Sequence, residues 1–322
     1  MRIGIVGCGL IGQKRAAAAR GHEIVAVADL LPARAEGLAL KTGALACDNW
    51  QALLALDLDI VVVATSHDTL AEIAQAAVAA GHHVLVEKPA GRSVAELAPV
   101  AAAAVRHGRI VKVGFNHRFH PALLKAREVV DSGALGSLMF IRGRYGHGGR
   151  PGMETEWRCQ PEAGGGELID QGSHLIDLSR WFLGELDVGF AATPTLFWDI
   201  PVDDNCFLAL TSTTGQIAWL QASWSEWKNM FSFEIYGRDG KLTVDGLGGS
   251  YGTEKLTFHR MLPGMGPPET TIWEYPFPDT SWDLEFSEFA AAIAEGRRPL
   301  GDITDAMAML KIIDTVYGRS TS

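Results

Sequence analysis

Cysteine is in short supply here. Cys8, Cys47, Cys159 and Cys206 stand far apart among 322 residues and form no Cys-x-x-Cys pair. That spacing excludes a disulfide framework and a structural zinc site, and it fits a reducing cytoplasm. Positive charge is also in deficit, with 28 Lys and Arg against 38 Asp and Glu and a formal charge of −10. Such a balance opposes general affinity for nucleic acid, although a local basic cluster can still receive an anionic ligand. No apolar run is long enough to span a membrane, despite 47% hydrophobic residues and a mean hydropathy of +0.09. The first apolar run, Ile3 to Val6, leaves no room for a leader peptide, so a cytoplasmic protein is expected. Internal repeats, low-complexity stretches and a long linker are missing too. The remaining picture is an ordinary globular chain of about two domains, with material for more than one core.

Residues 1–118 alternate β-branched runs (Ile3–Val6, Ile24–Ala28, Ile60–Ala64, Val84–Glu87, Ile110–Gly114) with Ala-rich helical patterns (Gln13–Arg20, Pro32–Lys41, Thr69–Ala80, Val94–Arg106). Strands and helices in that order make βαβ units, so a doubly wound parallel sheet is expected. From Leu138 the pattern changes to alternating strands between Gly and Pro turns: Leu138–Tyr145, Phe207–Ser212, Ile217–Ser225, Phe231–Tyr236, Lys241–Asp245, Leu256–His259 and Ile272–Tyr275. That reads as a large, mostly antiparallel open sheet with one helix, Glu167–Phe182, packed on it. Helical periodicity returns at Trp282–Tyr317. The fold class expected is α/β: a Rossmann domain over 1–118, then an α+β domain over 119–322 for substrate binding and oligomerisation. Its last helix, about 302–318, is expected to pack back on the first domain.

The sequence Gly7-Cys8-Gly9-Leu10-Ile11-Gly12 follows the first strand and opens the first helix. In that context the first glycine permits the tight turn, the second lets backbone approach a pyrophosphate, and the third lets helix and strand pack closely. Asp29 ends the second strand, where a carboxylate binds both ribose hydroxyls and repels a 2′-phosphate. No Arg stands at Leu30 or Leu31, so NAD is favoured over NADP; Arg34, a turn further on, leaves the preference incomplete.

Lys88 follows the run Val84-Leu85-Val86 at the C-terminal edge of a parallel strand, where open α/β sheets bind ligands. On spacing alone, Glu87-Lys88 reads equally as a solvated charge pair. Asp170 and His174, four apart in GGGELIDQGSHLIDLSRW, would share one helix face as a proton-handling pair. A buried histidine satisfied by a helix neighbour is the alternative, and Gly164 to Gly166 argue against it as a close-approach segment beside a ligand. Nicotinamide, lysine and an Asp/His pair together suffice to oxidise an alcohol or reduce a ketone. His117 and His120 read as surface or cleft polarity, and no metal is expected.

These residues resemble the glucose-fructose oxidoreductase, inositol dehydrogenase and rhizopine-catabolism (Gfo/Idh/MocA) oxidoreductases. The likeness runs through the glycine motif, Glu87-Lys88-Pro89, Gly114-Phe115-Asn116-His117-Arg118-Phe119, and the block from Gly164 through Asp170 and His174 to Asp177. It implies Lys88, Asp170 and His174 at the catalytic positions, with cofactor contacts at Gly7, Gly9, Leu10, Ile11, Gly12, Asp29, Thr65, Ser66, His67, Glu87, Lys88 and Asn116. Substrate contacts fall on Lys88, Asn116, Trp157, Arg158, Asp170 and His174, and the open sheet makes a homodimer or homotetramer contact. One departure is visible: many members carry Thr-Pro-Asn and a His three residues later, where this chain has Thr65-Ser66-His67 and Leu70.

The activity implied is NAD-dependent dehydrogenation of a CH–OH group in a sugar, polyol or sugar derivative. His174 takes the hydroxyl proton, Asp170 orients it, and Lys88 steadies the developing alkoxide. A redox-neutral glycosidase and a non-catalytic NAD-dependent sensor are the alternatives from the same superfamily. Two finer expectations follow from the second half. Arg142, Arg144, His147, Arg150 and Arg158 against Glu154 and Glu156 read either as a grip, led by Arg158, on an anionic substrate under a loose segment at Gly146–Gly152, or equally as a solvated rim pairing with those two glutamates. The aromatic run Ile217, Trp219, Trp224, Trp227, Phe231 and Phe233 reads as an oligomer surface or, equally, as internal core.

Overall fold

The computed structural model describes residues 1–319. It divides into two compact units, the first comprising 1–115 with 282–311, the second 116–281 with 312–319. The changeover thus falls between Phe115 and Asn116, and the return begins at Trp282 rather than at the last helix alone.

In chain order the first unit contains β1 (Arg2–Val6), α1 (Leu10–Ala18), β2 (Glu23–Ala28), α2 (Pro32–Thr42), β3 (Leu45–Cys47), α3 (Trp50–Leu54), β4 (Ile60–Val63), α4 (His67–Ala79), β5 (His83–Glu87), α5 (Val94–His107) and β6 (Val111–Gly114). The strands pair in the order β3-β2-β1-β4-β5-β6, and every pair is parallel. The expected strands are all present. β3 and α3 were not expected, being too short for a period to show. Strand β4, Ile-Val-Val-Val, is buried at every residue because helices cover both faces of a parallel sheet.

The second unit holds α6 (Pro121–Asp131), β7 (Leu138–Gly146), α7 (Ser173–Leu183), β8 (Leu186–Ala192), β9 (Asn205–Ser212), β10 (Ile217–Ser223), β11 (Met230–Gly237), β12 (Gly240–Asp245), β13 (Glu254–Arg260) and β14 (Glu269–Tyr275). Its sheet runs β14-β13-β12-β11-β7-β10-β9-β8, antiparallel except at the parallel pair of β7 and β10. Two helices cover one face, not one: α6 lies on β12, β13 and β14, while α7 lies on β7 and β10. β8 was also not expected. Gly189 stands at a register shift between Val188 and Phe190, and that bulge breaks the alternation by which a strand is read.

The chain then forms α8 (Ser281–Glu295) and α9 (Ile303–Val316). Phe286 and Phe289 of α8 join Ile3, Ile5, Val27 and Leu85 in one core. The same helix brings Glu285 into a buried charge cluster, where Arg15 is 2.5 Å from both Glu87 and Glu285 and Lys112 is 3.3 Å from Glu285. Two cations against two carboxylates leave the cluster neutral, which is how buried charge is tolerated. Among the described residues no helix is long and apolar enough to cross a membrane.

Candidate active site

The first unit supplies a dinucleotide cradle. Its strand order reverses between β1 and β4, and in open α/β sheets ligands bind beyond the strand ends at that point. Gly7 follows β1 with φ +92°, and a Cβ there would lie 2.4 Å from the Ala64 carbonyl oxygen. A Cβ on Gly12 would lie 1.9 Å from the Gly7 carbonyl oxygen, so α1 can press against the loop only through glycine. Gly9 differs, since a Cβ there would meet nothing within 4 Å. Two glycines therefore serve the chain's own packing, and the third leaves backbone open for a ligand. Gly9 is also the N-cap of α1, whose first turn has neither a side-chain cap nor an acidic residue. Orphan N–H groups at a helix start favour an anion. Leu10 is exposed and Ile11 half-buried beside them.

Asp29 is fixed by the loop it serves. Its carboxylate accepts the Cys8 N–H at 2.7 Å and the Leu31 N–H at 2.9 Å, one on each oxygen. Each oxygen keeps a second acceptor site for a ribose hydroxyl. Burial, with Asp29 nearby, pushes the Cys8 thiol up to about 12, so this cysteine remains a protonated packing group.

Lys88 directly follows β5, next to β4, whose end leads to Thr65 and Ser66. Thr65 Oγ1 accepts from Thr69 Oγ1 at 2.9 Å and Ser66 donates to Asp68 at 2.6 Å, while His67 opens α4 as a buried residue. Leu70, at the family's usual histidine position, is in the core. Glu87 is placed differently from Lys88. Its carboxylate is bound to Arg15, and burial pushes it up despite that partner. Its side chain thus holds the scaffold under the strand end.

The second unit holds Asp170 and His174. The helix carrying them starts with a wide turn, π-helical over Leu168–Gly172, and continues as α7. Asp170 sits in the wide turn and His174 just after it; π-type turns recur at functional sites. The start is held from outside by Asp203, whose carboxylate accepts the Leu168 N–H at 2.7 Å and the Tyr317 hydroxyl at 2.7 Å. The preceding glycines are explained by packing: a Cβ on Gly165 would lie 2.2 Å from the Arg158 carbonyl oxygen, and one on Gly166 2.5 Å from Asp203 Oδ1. Gly165 and Gly166 thus seat the helix against its own chain.

Arg158 Nε is 3.2 Å from Asp170 Oδ2, its Nη1 is 3.4 Å from Glu156, and its guanidinium lies over Trp157 at 4.8 Å. The other members of the basic cluster are matched as well: Arg142 with Glu234, Arg144 with Glu226 at 3.0 Å, and Arg150 with Glu156 at 2.6 Å. Burial lowers the pKa of His147, and its Nδ1 accepts from the Gly149 N–H at 2.9 Å. It adds no positive charge near neutrality. The segment beside it leads into packed residues. Met153, Cys159, Val202 and Trp224 form a small core there, with Trp198 packed against it.

Three aromatic residues complete this half, of which Tyr145 was not singled out. His117 and His120, read as surface or cleft polarity, are both buried and so do not lie on the surface. The His117 ring stacks on His174 with centroids 3.7 Å apart and planes at 22°. Tyr145, near the end of β7, is 5.3 Å from His117, and its hydroxyl bonds Tyr251, which also accepts from Gln171 at 3.2 Å. Burial, then Tyr251, holds the Tyr145 phenol well above its ordinary range, so it stays protonated. The period of two that puts Arg142 and Arg144 on one face puts Tyr145 on the other. Asn116 reaches the pair through His117 Nδ1 at 3.2 Å, and Asp177 is bound bidentately by buried Arg118 at 2.8 and 2.5 Å. Of the expected residues, the structure therefore groups Asp170, His174, Arg158, Trp157 and Asn116 in the second unit, and the glycine motif, Asp29, Thr65 to His67, Glu87 and Lys88 in the first.

Comparison with known proteins agrees with this division. Residues 1–115 match the oxidoreductase family with an NAD-binding Rossmann fold, and residues 123–243 match the GFO/IDH/MocA C-terminal domain. The chain belongs to the GFO/IDH/MocA oxidoreductase family. D-xylose 1-dehydrogenase (NADP(+)) 2 of Haloferax volcanii is 29% identical, over 98% of this chain and 96% of its own. Inositol 2-dehydrogenase 2 of Saccharopolyspora erythraea is 36% identical over 60% of this chain and 57% of its own. Among solved structures, levoglucosan dehydrogenase in complex with NADH and levoglucosan has the same fold, with a TM-score of 0.89 at 24% identity over 99% of this chain and 96% of that one.

Proposed function

We propose that this oxidoreductase is an NAD-dependent dehydrogenase moving a hydride between the nicotinamide and a hydroxyl- or carbonyl-bearing carbon of a sugar, polyol or sugar derivative. One observation carries the reading. A switch-point loop with Gly9 open and Asp29 fixed for a ribose occurs in the same chain as a buried imidazole, His174, just past the carboxylate Asp170. NAD, when bound, accepts the hydride. The residues of the chain do the rest: His174 takes the hydroxyl proton, Asp170 orients the site with Arg158 beside it, and Lys88 hydrogen-bonds the same oxygen as it gains alkoxide character. In this assignment the first unit is the cofactor domain and the second the substrate and oligomerisation domain.

NAD is favoured over NADP because Asp29 would face a 2′-phosphate, although the Haloferax relative is named for NADP. A neutral polyol or sugar fits better than an anionic one. An anionic substituent would have to draw Arg158 from Asp170 or Glu156, both already within 3.4 Å. The test is a panel of polyols, aldoses, uronic acids and nucleotide sugars incubated with NAD and followed by NADH absorbance. At least one neutral member should give stoichiometric NADH. Glycoside cleavage without net NADH would establish the redox-neutral reading instead, and cofactor binding with no turnover of any member would establish the sensor.

A further inference from the structure

The stacked pair of His117 and His174 is not accounted for by hydride transfer as assigned above. The direction of its hydrogen bonds follows from one end. Asp279 is an acceptor, so Ser281 donates its hydroxyl to Oδ1 at 2.6 Å and its N–H to the same oxygen at 2.9 Å. The Ser281 oxygen then accepts from the Asn116 amide nitrogen at 3.1 Å. That turns the Asn116 carbonyl oxygen toward His117 Nδ1 at 3.2 Å, and a carbonyl oxygen only accepts. His117 therefore carries a proton on Nδ1 when neutral, and its plane is set by a chain anchored at Asp279. The face it presents lies 3.7 Å from the His174 ring.

We propose that His117 is a positioning residue for His174: a flat partner, held by the chain from Asp279 through Ser281 and Asn116, that fixes the plane of the base and prevents both rings from being charged together. The proposal rests on the reading of His174 as the base. Two imidazolium rings at that separation repel strongly in a buried site, so the pair takes up protons in two well-separated steps. Titratable groups beside it include Tyr145 of β7 and His120, whose ring is 5.6 Å from that of His117, while Asp170 precedes His174 by four residues on the wide turn. His120 is itself committed to Glu254 of β13 at 2.9 Å, and Arg118 to Asp177 of α7. Phe231 of β11 closes the apolar side at 6.0 Å.

Imidazole ¹⁵N NMR on the full chain tests this without a substrate. Between pH 8.5 and 5.5 only one of the two rings should become imidazolium, with the second proton about two pH units or more below the first. Neutral His117 should show its proton on Nδ1, and Asn116→Ala should remove that preference. Both rings charged at pH 6, or neutral His117 protonated on Nε2, would overturn the proposal. A kinetic arm uses any polyol whose turnover His174→Ala abolishes. His117→Phe, which keeps a flat face, should hold kcat within about threefold, while His117→Ala should lower kcat about tenfold or more with KM and NADH affinity within about twofold. Unchanged kcat in His117→Ala, or an effect on KM alone, contradicts it. If His117→Ala does not fold, His117→Asn replaces it with the same expected split. If no polyol shows His174-dependent turnover, the proposed function fails, and the NMR result still decides whether the two rings form a coupled pair.

Discussion

The two sheets of this molecule place their polar chemistry in opposite ways. The parallel sheet of the first unit is mostly apolar, with Glu87 and Lys112 tied into the buried charge cluster, and its candidate ligand-facing groups lie beyond the strand ends, mostly as backbone: Gly7, Gly9 and Gly12, with Asp29 pinned by two N–H groups. The sheet of the second unit is covered on one face only, and beneath that cover lie Tyr145, His117 and His174. Backbone geometry at an edge gives a general site for a dinucleotide; side chains under a sheet give a particular arrangement for a proton. Changes at Arg15 and Asp29 in the first unit should therefore act on folding and cofactor choice, and changes at Lys88 at the end of β5 or under the second sheet on the chemical step.

The largest expected effect lies in the scaffold. Arg15→Ala leaves Glu87 buried without its cation and takes from Glu285 one of its two, and should cost about 3–5 kcal/mol of stability in urea denaturation. Arg142→Ala removes a partner of Glu234 from an arginine whose side chain is half exposed, and should cost about 1 kcal/mol or less. Equal costs for the two would break the contrast between buried and surface pairs. Next come Lys88→Met and His174→Ala. Each should lower kcat on the order of 10²-fold, about 2.7 kcal/mol, with NADH affinity within about twofold. A parallel fall in affinity would mean that cofactor binding and chemistry are not divided as argued.

How much of this the sequence discloses depends on where each signal lies. The glycine motif, Asp29 and the parallel strands are local patterns, legible because each needs only its neighbours in the chain. The covering helix α6 and the bulged strand β8 are harder: α6 is a single short amphipathic stretch, and Gly189 interrupts the alternation of β8. The Arg15 cluster joins residues up to 270 apart, and no local pattern announces it. His117 was visible as a residue but not as a partner, since its role comes from a contact with a helix 57 positions later. An anion site was one reading of the arginine cluster because its carboxylate partners are distant in sequence, Glu234 on β11 and Glu226 in the loop before it.

Smaller effects sharpen the comparison further. Asp29→Ser should reduce the preference of kcat/KM for NAD over NADP by about tenfold, about 1.4 kcal/mol; equal efficiency of the unmodified enzyme with both cofactors would remove the argument. The uncovered face of the second sheet presents a row across its strands that includes Ile272, Arg142, Trp219 and Phe190, with Ile272, Trp219 and Phe190 each about half exposed. Trp224, Phe231 and Phe233, by contrast, belong to the core. A homodimer or homotetramer through that face is proposed, and Trp219→Glu should shift the solution mass toward monomer without lowering Tm by more than about 2 °C. A monomeric mass for the unmodified chain at micromolar concentration would contradict it.

The central claim is net hydride transfer, and isotope transfer tests it directly. Carbon-deuterated inositol, D-xylose and levoglucosan, compounds for which relatives are named, are each incubated with NAD and the enzyme, and the reduced nicotinamide is analysed by mass spectrometry. The account predicts that at least one delivers a single deuterium to the cofactor, and that His174→Ala abolishes the transfer. Turnover of any of them with no deuterium in the nicotinamide, or unchanged transfer in His174→Ala, would contradict it.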